Sequence, residues 1–234
     1  MTDFPTAEAS RGPFPFASVG FDLDGTLLDT SRDLGAALNH ALAVAGRAPV
    51  PLGEVSALIG GGSAQMLRRA LELGGGMLDE ARFWELQAEL LRFYEANIAV
   101  HTAFYPGAEA MLDELARRGV KLAVATNKKE ALAVRLFAEM GISWRFAAVV
   151  GGDTLGPGRS KPAPDMIREY VCRLGGGRTA FVGDTTFDIG AARAAGVASV
   201  AVSFGFNDLP AGELGADAVI DHFEDLVPVL AGYA

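Results

Sequence analysis

Short runs of apolar, often β-branched residues recur along this 234-residue chain, each ending in a polar or turn-forming residue and each followed by helical spacing. Residues 19–24 form the first such run, and 120–126, 146–150, 179–184 and 198–202 follow, with 218–220 as a short edge candidate. Strands that are apolar throughout, rather than alternating, belong in a parallel sheet covered on both faces. Their alternation with helices predicts a doubly wound, Rossmann-like α/β fold with a mostly parallel sheet. Residues 108–118 place Met111, Leu112 and Leu115 on one helical face, and 130–140 do the same with Val134, Phe137 and Ala138. Gly119 and Gly141 stand just past those helices as C-terminal caps.

One interval breaks the rhythm. A parallel crossover needs a dozen or more residues, yet the first two strands are separated by residues 25–119. The spacing there is helical, through Leu34, Leu38, Ala41 and Leu42, then 66–73, then Leu86, Leu90 and Phe93. This predicts an inserted helical domain over 30–102 in an α/β core made of 18–29 and 103–234, re-entered at Tyr105, Pro106 and Gly107. The two adjacent linkers are candidates for a hinge. Phe83, Trp84, Phe93 and Tyr94 fall on helical periods and are expected in the insertion's core. Residues 1–17, with Pro5, Pro13 and Pro15, are expected to form a poorly ordered extension.

Composition narrows the functional classes. Half the residues are apolar and 21% are charged, the profile of a folded globular protein. The 29 acidic residues exceed the 20 basic ones, and the net charge of −9 opposes binding to nucleic acid or anionic lipid. The single cysteine, Cys172, excludes an internal disulfide, fits a reducing compartment and is expected as a small hydrophobe on a helix. No basic-then-apolar leader and no run of about 20 apolar residues is present, so a cytoplasmic protein without a membrane partner is expected, as monomer or homodimer. His40, His101 and His222 lack metal-ligand spacing and read as structural or surface residues. The glycine-rich stretches match neither nucleotide-binding loop pattern.

The candidate chemistry sits at strand ends, where open parallel sheets bind ligands. The first strand runs straight into Asp22, Leu23, Asp24, Gly25 and Thr26. The second ends at Thr126 and Asn127, a hydroxyl and a backbone N–H suited to an anion at a helix start. Lys161 precedes a stiff Pro-x-Pro segment that would aim its ammonium at a fixed point. The fourth strand delivers Asp184 and, four residues on, Asp188. Oxygen ligands gathered from Asp22, Asp24, Asp184 and Asp188 are what a hard cation such as Mg²⁺ requires.

Taken in order, Asp22-x-Asp24-Gly25-Thr26, Thr126, Lys161 with its Pro-x-Pro, and Gly183-Asp184-x-x-x-Asp188 resemble the four motifs of the haloacid dehalogenase-like hydrolase superfamily. The insertion resembles that superfamily's helical C1 cap. The stretches around Gly60, Gly61 and Gly62, around Thr126, Asn127 and Lys128, and over 216–223 are similar to phosphoglycolate phosphatases. The resemblance implies a small-molecule phosphate ester as substrate and Mg²⁺ as cofactor, held by Asp22, the Asp24 carbonyl, Asp184 and Asp188. It also implies catalysis by Asp22 as nucleophile and Asp24 as general acid and base. Thr126, Asn127 and Lys161 would then bind the phosphoryl oxygens.

Absent residues narrow this further. Superfamily dehalogenases lack a second acid where this chain has Asp24, and phosphonatases use a cap lysine where this chain has none between Asp29 and His101. Gly60, Gly61 and Gly62 are candidates to present backbone N–H groups to a second anion, such as the carboxylate of 2-phosphoglycolate, or are a plain interhelical loop. Other small phosphate esters, a phosphosugar mutase activity and a non-catalytic phosphate-ester binding protein stay open.

Overall fold

The computed structural model describes residues 14–233. In chain order, β1 (Ser18–Phe21) is followed by a two-residue strand, β2 (Leu28–Asp29), and then by four helices: α1 (Ser31–Val44), α2 (Leu52–Val55), α3 (Ser63–Leu73) and α4 (Glu80–Ala96). The chain returns through β3 (Ala103–Phe104), which pairs antiparallel with β2. Helices and strands then alternate: α5 (Ala108–Arg117), β4 (Lys121–Ala125), α6 (Glu130–Glu139), β5 (Ala148–Val150), α7 (Asp165–Arg173), β6 (Thr179–Gly183) and α8 (Thr186–Ala195). β7 (Ala198–Val202), β8 (Ala218–Ile220) and α9 (Leu226–Ala231) complete the order.

The main sheet runs β5-β4-β1-β6-β7-β8 with every neighbouring pair parallel. From β1 the chain goes to β4 on one side and later returns to β6 on the other. The carboxyl end of β1 is therefore a topological switch point, the usual place for a ligand crevice in such sheets. Both faces are covered, which is why the strands read as continuous apolar runs. Leu122, Val124 and Val182 join the core under α5, α6 and α9, while Ala123, Ala125 and Phe181 pack beneath α7 and α8.

Several expectations need correction. On α6 the buried residues are Leu132, Ala133, Leu136 and Phe137, whereas Val134 is 47% exposed and Ala138 also faces outward. Phe137 lies at the margin of both candidate stripes, and the helix turns toward the sheet the one with two leucines to bury. Cys172 is exposed, because α7 buries Met166, Ile167 and Tyr170 and leaves it on the outer side. Trp84 is half-exposed and reaches Glu80, so only its neighbour Phe83 joins the core. Of the expected N-terminal extension, residues 1–13 lie outside the described residues, but 14–17 are packed. Phe16 is buried edge-on to Tyr233 at 5.6 Å, and the backbone N–H of Ala17 donates to Arg178.

Between β2 and β3, α1 packs along α4 through Leu34, Leu38, Ala41 and Leu42 on one side and Phe83, Leu86 and Leu90 on the other. The buried carboxylate of Asp33, in the first turn of α1, accepts bonds from the Thr102 N–H at 2.9 Å and hydroxyl at 2.8 Å and from the His101 N–H. This ties the start of α1 to the returning chain beside the β2–β3 ribbon. His40 is a half-buried brace, stacked on Phe93 at 4.4 Å and 2.8 Å from Glu89. Among the described residues no helix is long and apolar enough to cross a membrane.

Candidate active site

Asp22, Thr126 and Asp184 are the first residues past β1, β4 and β6, three adjacent strands. Asp22 stays in the ladder by donating its N–H to Val182 at 2.9 Å, as Thr126 does to Val150 at 3.0 Å. The sheet edge thus brings polar side chains from distant parts of the chain to one spot. Lys161 enters from the loop before α7, where the Lys161–Pro162 peptide is cis and the Lys161 carbonyl accepts from the Asn127 side-chain amide at 3.1 Å. Its buried ammonium lies 2.7 Å from Asp22 and 2.5 Å from Asp188.

The acids are held from several sides. Asp184 accepts from the Thr26 hydroxyl at 2.8 Å and the Phe206 N–H at 2.7 Å, and its carbonyl accepts from the Asn207 amide at 2.9 Å. Asp188 accepts from the Thr185 N–H at 3.0 Å and hydroxyl at 2.6 Å, which also caps the start of α8. Gly25, at φ +86°, makes the turn between Asp24 and Thr26, and a Cβ there would run into the Asp184 carboxylate. Only glycine fits, for conformational and steric reasons together. Thr26, the last letter of the first motif, therefore serves an acid 158 residues away.

Carboxyl oxygens of Asp22, Asp184 and Asp188 lie within 4.8 Å of one another, all buried. Burial pushes Asp22 up to about 7, with repulsion from Asp188 and Asp24 adding and Lys161 opposing. Asp184 is also well above the ordinary carboxylate range, through burial and then the charges of Asp188 and Asp22. Burial works against the charge on Lys161, but Asp188 and Asp22 raise it above the usual lysine range. The four carboxylates of the cleft outnumber its two buried ammonium groups, so the site as it stands favours a cation over an anion.

The second buried ammonium belongs to Lys128, a residue that the sequence reading left as part of a similarity. Its Nζ lies 2.9 Å from Asp24 Oδ1, which also accepts from the Thr30 hydroxyl at 2.7 Å. It also lies 4.6 Å above the ring of Tyr94 on α4. Burial disfavours its charge, but Asp24 more than compensates and raises it. Among the described residues the buried Tyr94 hydroxyl makes no hydrogen bond of normal geometry. Its place in the Thr126-Asn127-Lys128 stretch and the scarcity of lysine, with only Lys121, Lys128, Lys129 and Lys161 in the chain, were the sequence signals available for Lys128. Tyr94 was expected as core, and it is buried, but it also lines the cleft.

Thr126 differs from expectation in its local setting. Helix α6 starts at Glu130, so Thr126 is not its cap; its hydroxyl instead accepts from the Lys128 N–H at 3.2 Å. Gly60, Gly61 and Gly62 all have positive φ, +100°, +70° and +90°, and lead into α3. They cross the mouth of the cleft close to core residues: a Cβ on Gly62 would sit 3.3 Å from the Asn127 carbonyl, and one on Gly61 3.3 Å from Phe187. Asp22, Asp24, Thr126, Asn127, Lys161, Asp184, Asp188 and the three glycines thus line one cleft of about 770 Å³, counted with its open mouth.

The comparisons with known proteins point the same way. Residues 19–202 match the family model described as haloacid dehalogenase-like hydrolase. The chain is 42% identical over 212 residues to the phosphoglycolate phosphatase of Agrobacterium fabrum, covering 90% of each. It is 39% identical to that of Caulobacter vibrioides, covering 90% of this chain and 89% of the other. A crystal structure from Haemophilus somnus, titled as a predicted phosphoglycolate phosphatase, superposes with a TM-score of 0.85 at 30% identity over 93% of this chain and 99% of that one. With a family match across most of its length and a site built at that family's motifs, the chain is a phosphoric monoester hydrolase and belongs to the haloacid dehalogenase-like hydrolase family.

Proposed function

We propose that the protein is a Mg²⁺-dependent phosphatase that hydrolyses 2-phosphoglycolate through an aspartyl-phosphate on Asp22. The observation that carries this reading is the meeting, at the switch point of the sheet, of Asp22 with Lys161, Asp24 and the Asp184–Asp188 pair. The names of the relatives supply the substrate.

The residues present fit a divalent cation. Three buried carboxylates within 4.8 Å of one another are a hard, all-oxygen donor set, and burial and mutual repulsion raise two of them above their ordinary range, a crowding that a cation among them would relieve. Asp22, Asp184, Asp188 and the backbone carbonyl of Asp24 would hold Mg²⁺. There it would offset the carboxylates' charge and draw electron density from a phosphoryl oxygen.

The chain's own groups then divide the work. A carboxylate oxygen of Asp22 forms a bond to phosphorus as the bond to the ester oxygen breaks, splitting a difficult hydrolysis into two steps. Asp24 gives its proton to the departing oxygen, then takes one from the water that attacks the aspartyl-phosphate and returns Asp22 to its carboxylate. Thr126, the Asn127 N–H and Lys161 hold the phosphoryl oxygens while charge redistributes. Residues 30–102 act as a cap over a core of 18–29 and 103–234, moving about the β2–β3 ribbon and bringing Gly60, Gly61 and Gly62 over the bound ester.

Phosphate release from 2-phosphoglycolate, hexose phosphates, nucleoside monophosphates and pyrophosphate, with Mg²⁺ and with chelator, tests this. The expected result is chelator-sensitive turnover with a strong preference for 2-phosphoglycolate. Metal-dependent turnover of other esters without that preference would reject the substrate, and turnover that survives chelator would reject the metal.

A further inference from the structure

We propose that the Lys128 ammonium and the Tyr94 hydroxyl together form the receptor for a carboxylate borne on the carbon that carries the ester oxygen, so that the enzyme selects small 2-phospho-oxy acids. The inference rests on the phosphatase reading above and assigns its selectivity to two residues outside the phosphoryl chemistry.

Neither residue is needed at phosphorus, where Lys161 already supplies the cation. Lys128 is nonetheless buried, its side chain only 5% exposed. An ammonium has three donors, and among the described residues the one hydrogen bond from its Nζ goes to Asp24. Among the described residues Tyr94 Oη, also buried, makes no hydrogen bond of normal geometry, although the Lys128 ammonium is close enough to act on it. These groups come from different parts of the molecule, the loop after β4 and helix α4, and both line the same cleft. A ligand that satisfies them must bring acceptors and negative charge, which a carboxylate does. Met66, Leu90 and Leu132 line the same cleft and offer the hydroxyls of a sugar no more than a weak thioether acceptor.

Reach sets the length of the substrate. A general acid works within about 2.6–3.2 Å of the atom it protonates, and Lys128 Nζ is 2.9 Å from Asp24 Oδ1. The ammonium therefore stands within two hydrogen-bond lengths and the width of one carboxyl group of the ester oxygen. A carboxylate on the adjoining carbon spans that gap, whereas the far phosphate of a hexose bisphosphate overshoots it. The glycine loop then closes over a pocket whose charge recognition lies on Lys128.

The test compares kcat/KM for 2-phosphoglycolate with that for ethyl phosphate, which has the same chain without the carboxylate, in wild type, Tyr94→Phe, Lys128→Met and Lys128→Arg. The ratio should fall about 10-fold or more in Tyr94→Phe and about 100-fold in Lys128→Met, the range for hydrogen bonds to a charged group, with partial recovery in Lys128→Arg. Inhibition by glycolate should weaken in the same order. Equal losses on both substrates would overturn the receptor and leave the pair as a support for Asp24. A wild-type preference that persists in Tyr94→Phe and Lys128→Met would overturn the receptor alone. A wild type with no preference for 2-phosphoglycolate over ethyl phosphate would overturn the substrate reading itself.

Discussion

On the sheet side of the cleft, Asp184 has two donors on its carboxylate and a third on its carbonyl, and Asp188 is held by Thr185 and Lys161. On the helical side, three successive glycines cross the mouth at positive φ, and among the described residues the Tyr94 hydroxyl makes no hydrogen bond of normal geometry. The first wall is over-determined by a parallel sheet and its hydrogen bonds, so its charges are fixed before a substrate arrives, which is what electrostatic catalysis needs. The second is assembled from helices anchored through a two-residue ribbon, and fewer hydrogen bonds hold it. On the proposed reading, chemistry belongs to the first wall and selection to the second, joined by Lys128, which comes from the loop after β4 and touches both Asp24 and the Tyr94 ring.

The largest effect is expected on the sheet side. Asp22→Asn should lower kcat by at least about 10⁴-fold, the scale of losing a nucleophile, on every ester, with an unchanged circular dichroism spectrum. Retained turnover would remove the covalent step. Asp24→Ala should cost about 10²–10⁴-fold on alkyl phosphates, the usual weight of general acid–base catalysis, and much less on aryl phosphates whose leaving group needs no proton. A uniform loss across leaving groups would contradict its acid role.

Stability should report the same crowding of charge. A carboxyl raised from 3.8 to about 7 contributes fully to stability below pH 3.8 and loses that contribution as the pH rises through 7. In Asp22→Asn nothing titrates at that position. Without Mg²⁺, the variant should therefore gain on wild type between pH 4 and 7, then level off, by up to about 4 kcal/mol at 1.36 kcal/mol per pH unit. Denaturant unfolding at a series of pH values checks this. A flat difference would mean that Asp22 is not crowded in the folded protein, and added Mg²⁺ should shrink the gap.

The smallest effect is expected on the helical side. Gly61→Ala places a Cβ against Gln65 and Phe187 at φ +70°, a strain of about 1–2 kcal/mol for an L-residue in that region. It should lower the preference for 2-phosphoglycolate by roughly 10-fold at that cost while turnover of an aryl phosphate changes less. Equal changes on both would make the loop a structural element only.

The two walls also differ in how far the amino-acid sequence discloses them. An apolar strand that runs into Asp22, and others that stop at Thr126 and Asp184, are local patterns, and the parallel sheet brings them together by rule. Lys161 was legible for the same reason, its stiff Pro-x-Pro neighbour marking a fixed position. Lys128 was hidden as half of a Lys-Lys pair that looks solvated, and Tyr94 as one more apolar position on a helix, because their meeting depends on how α4 sits over the sheet. The β2–β3 ribbon, two residues per strand, is too short to carry a period. Thr26 and Asp33 act through hydrogen bonds to residues far along the chain, which no local pattern encodes. Val134 and Ala138 misled because two stripes on α6 share Phe137, and only packing decides between them.

The covalent step at the switch point is the central claim, and trapping it is the most direct test. Rapid acid quench of the Mg²⁺-loaded enzyme during turnover of 2-phosphoglycolate, followed by peptide mass spectrometry, should find a hydroxylamine-labile phosphoryl group on the peptide that carries Asp22, and none in Asp22→Asn. Full turnover with no phosphoryl-enzyme at any quench time, or a phosphoryl group on another residue, would contradict the account.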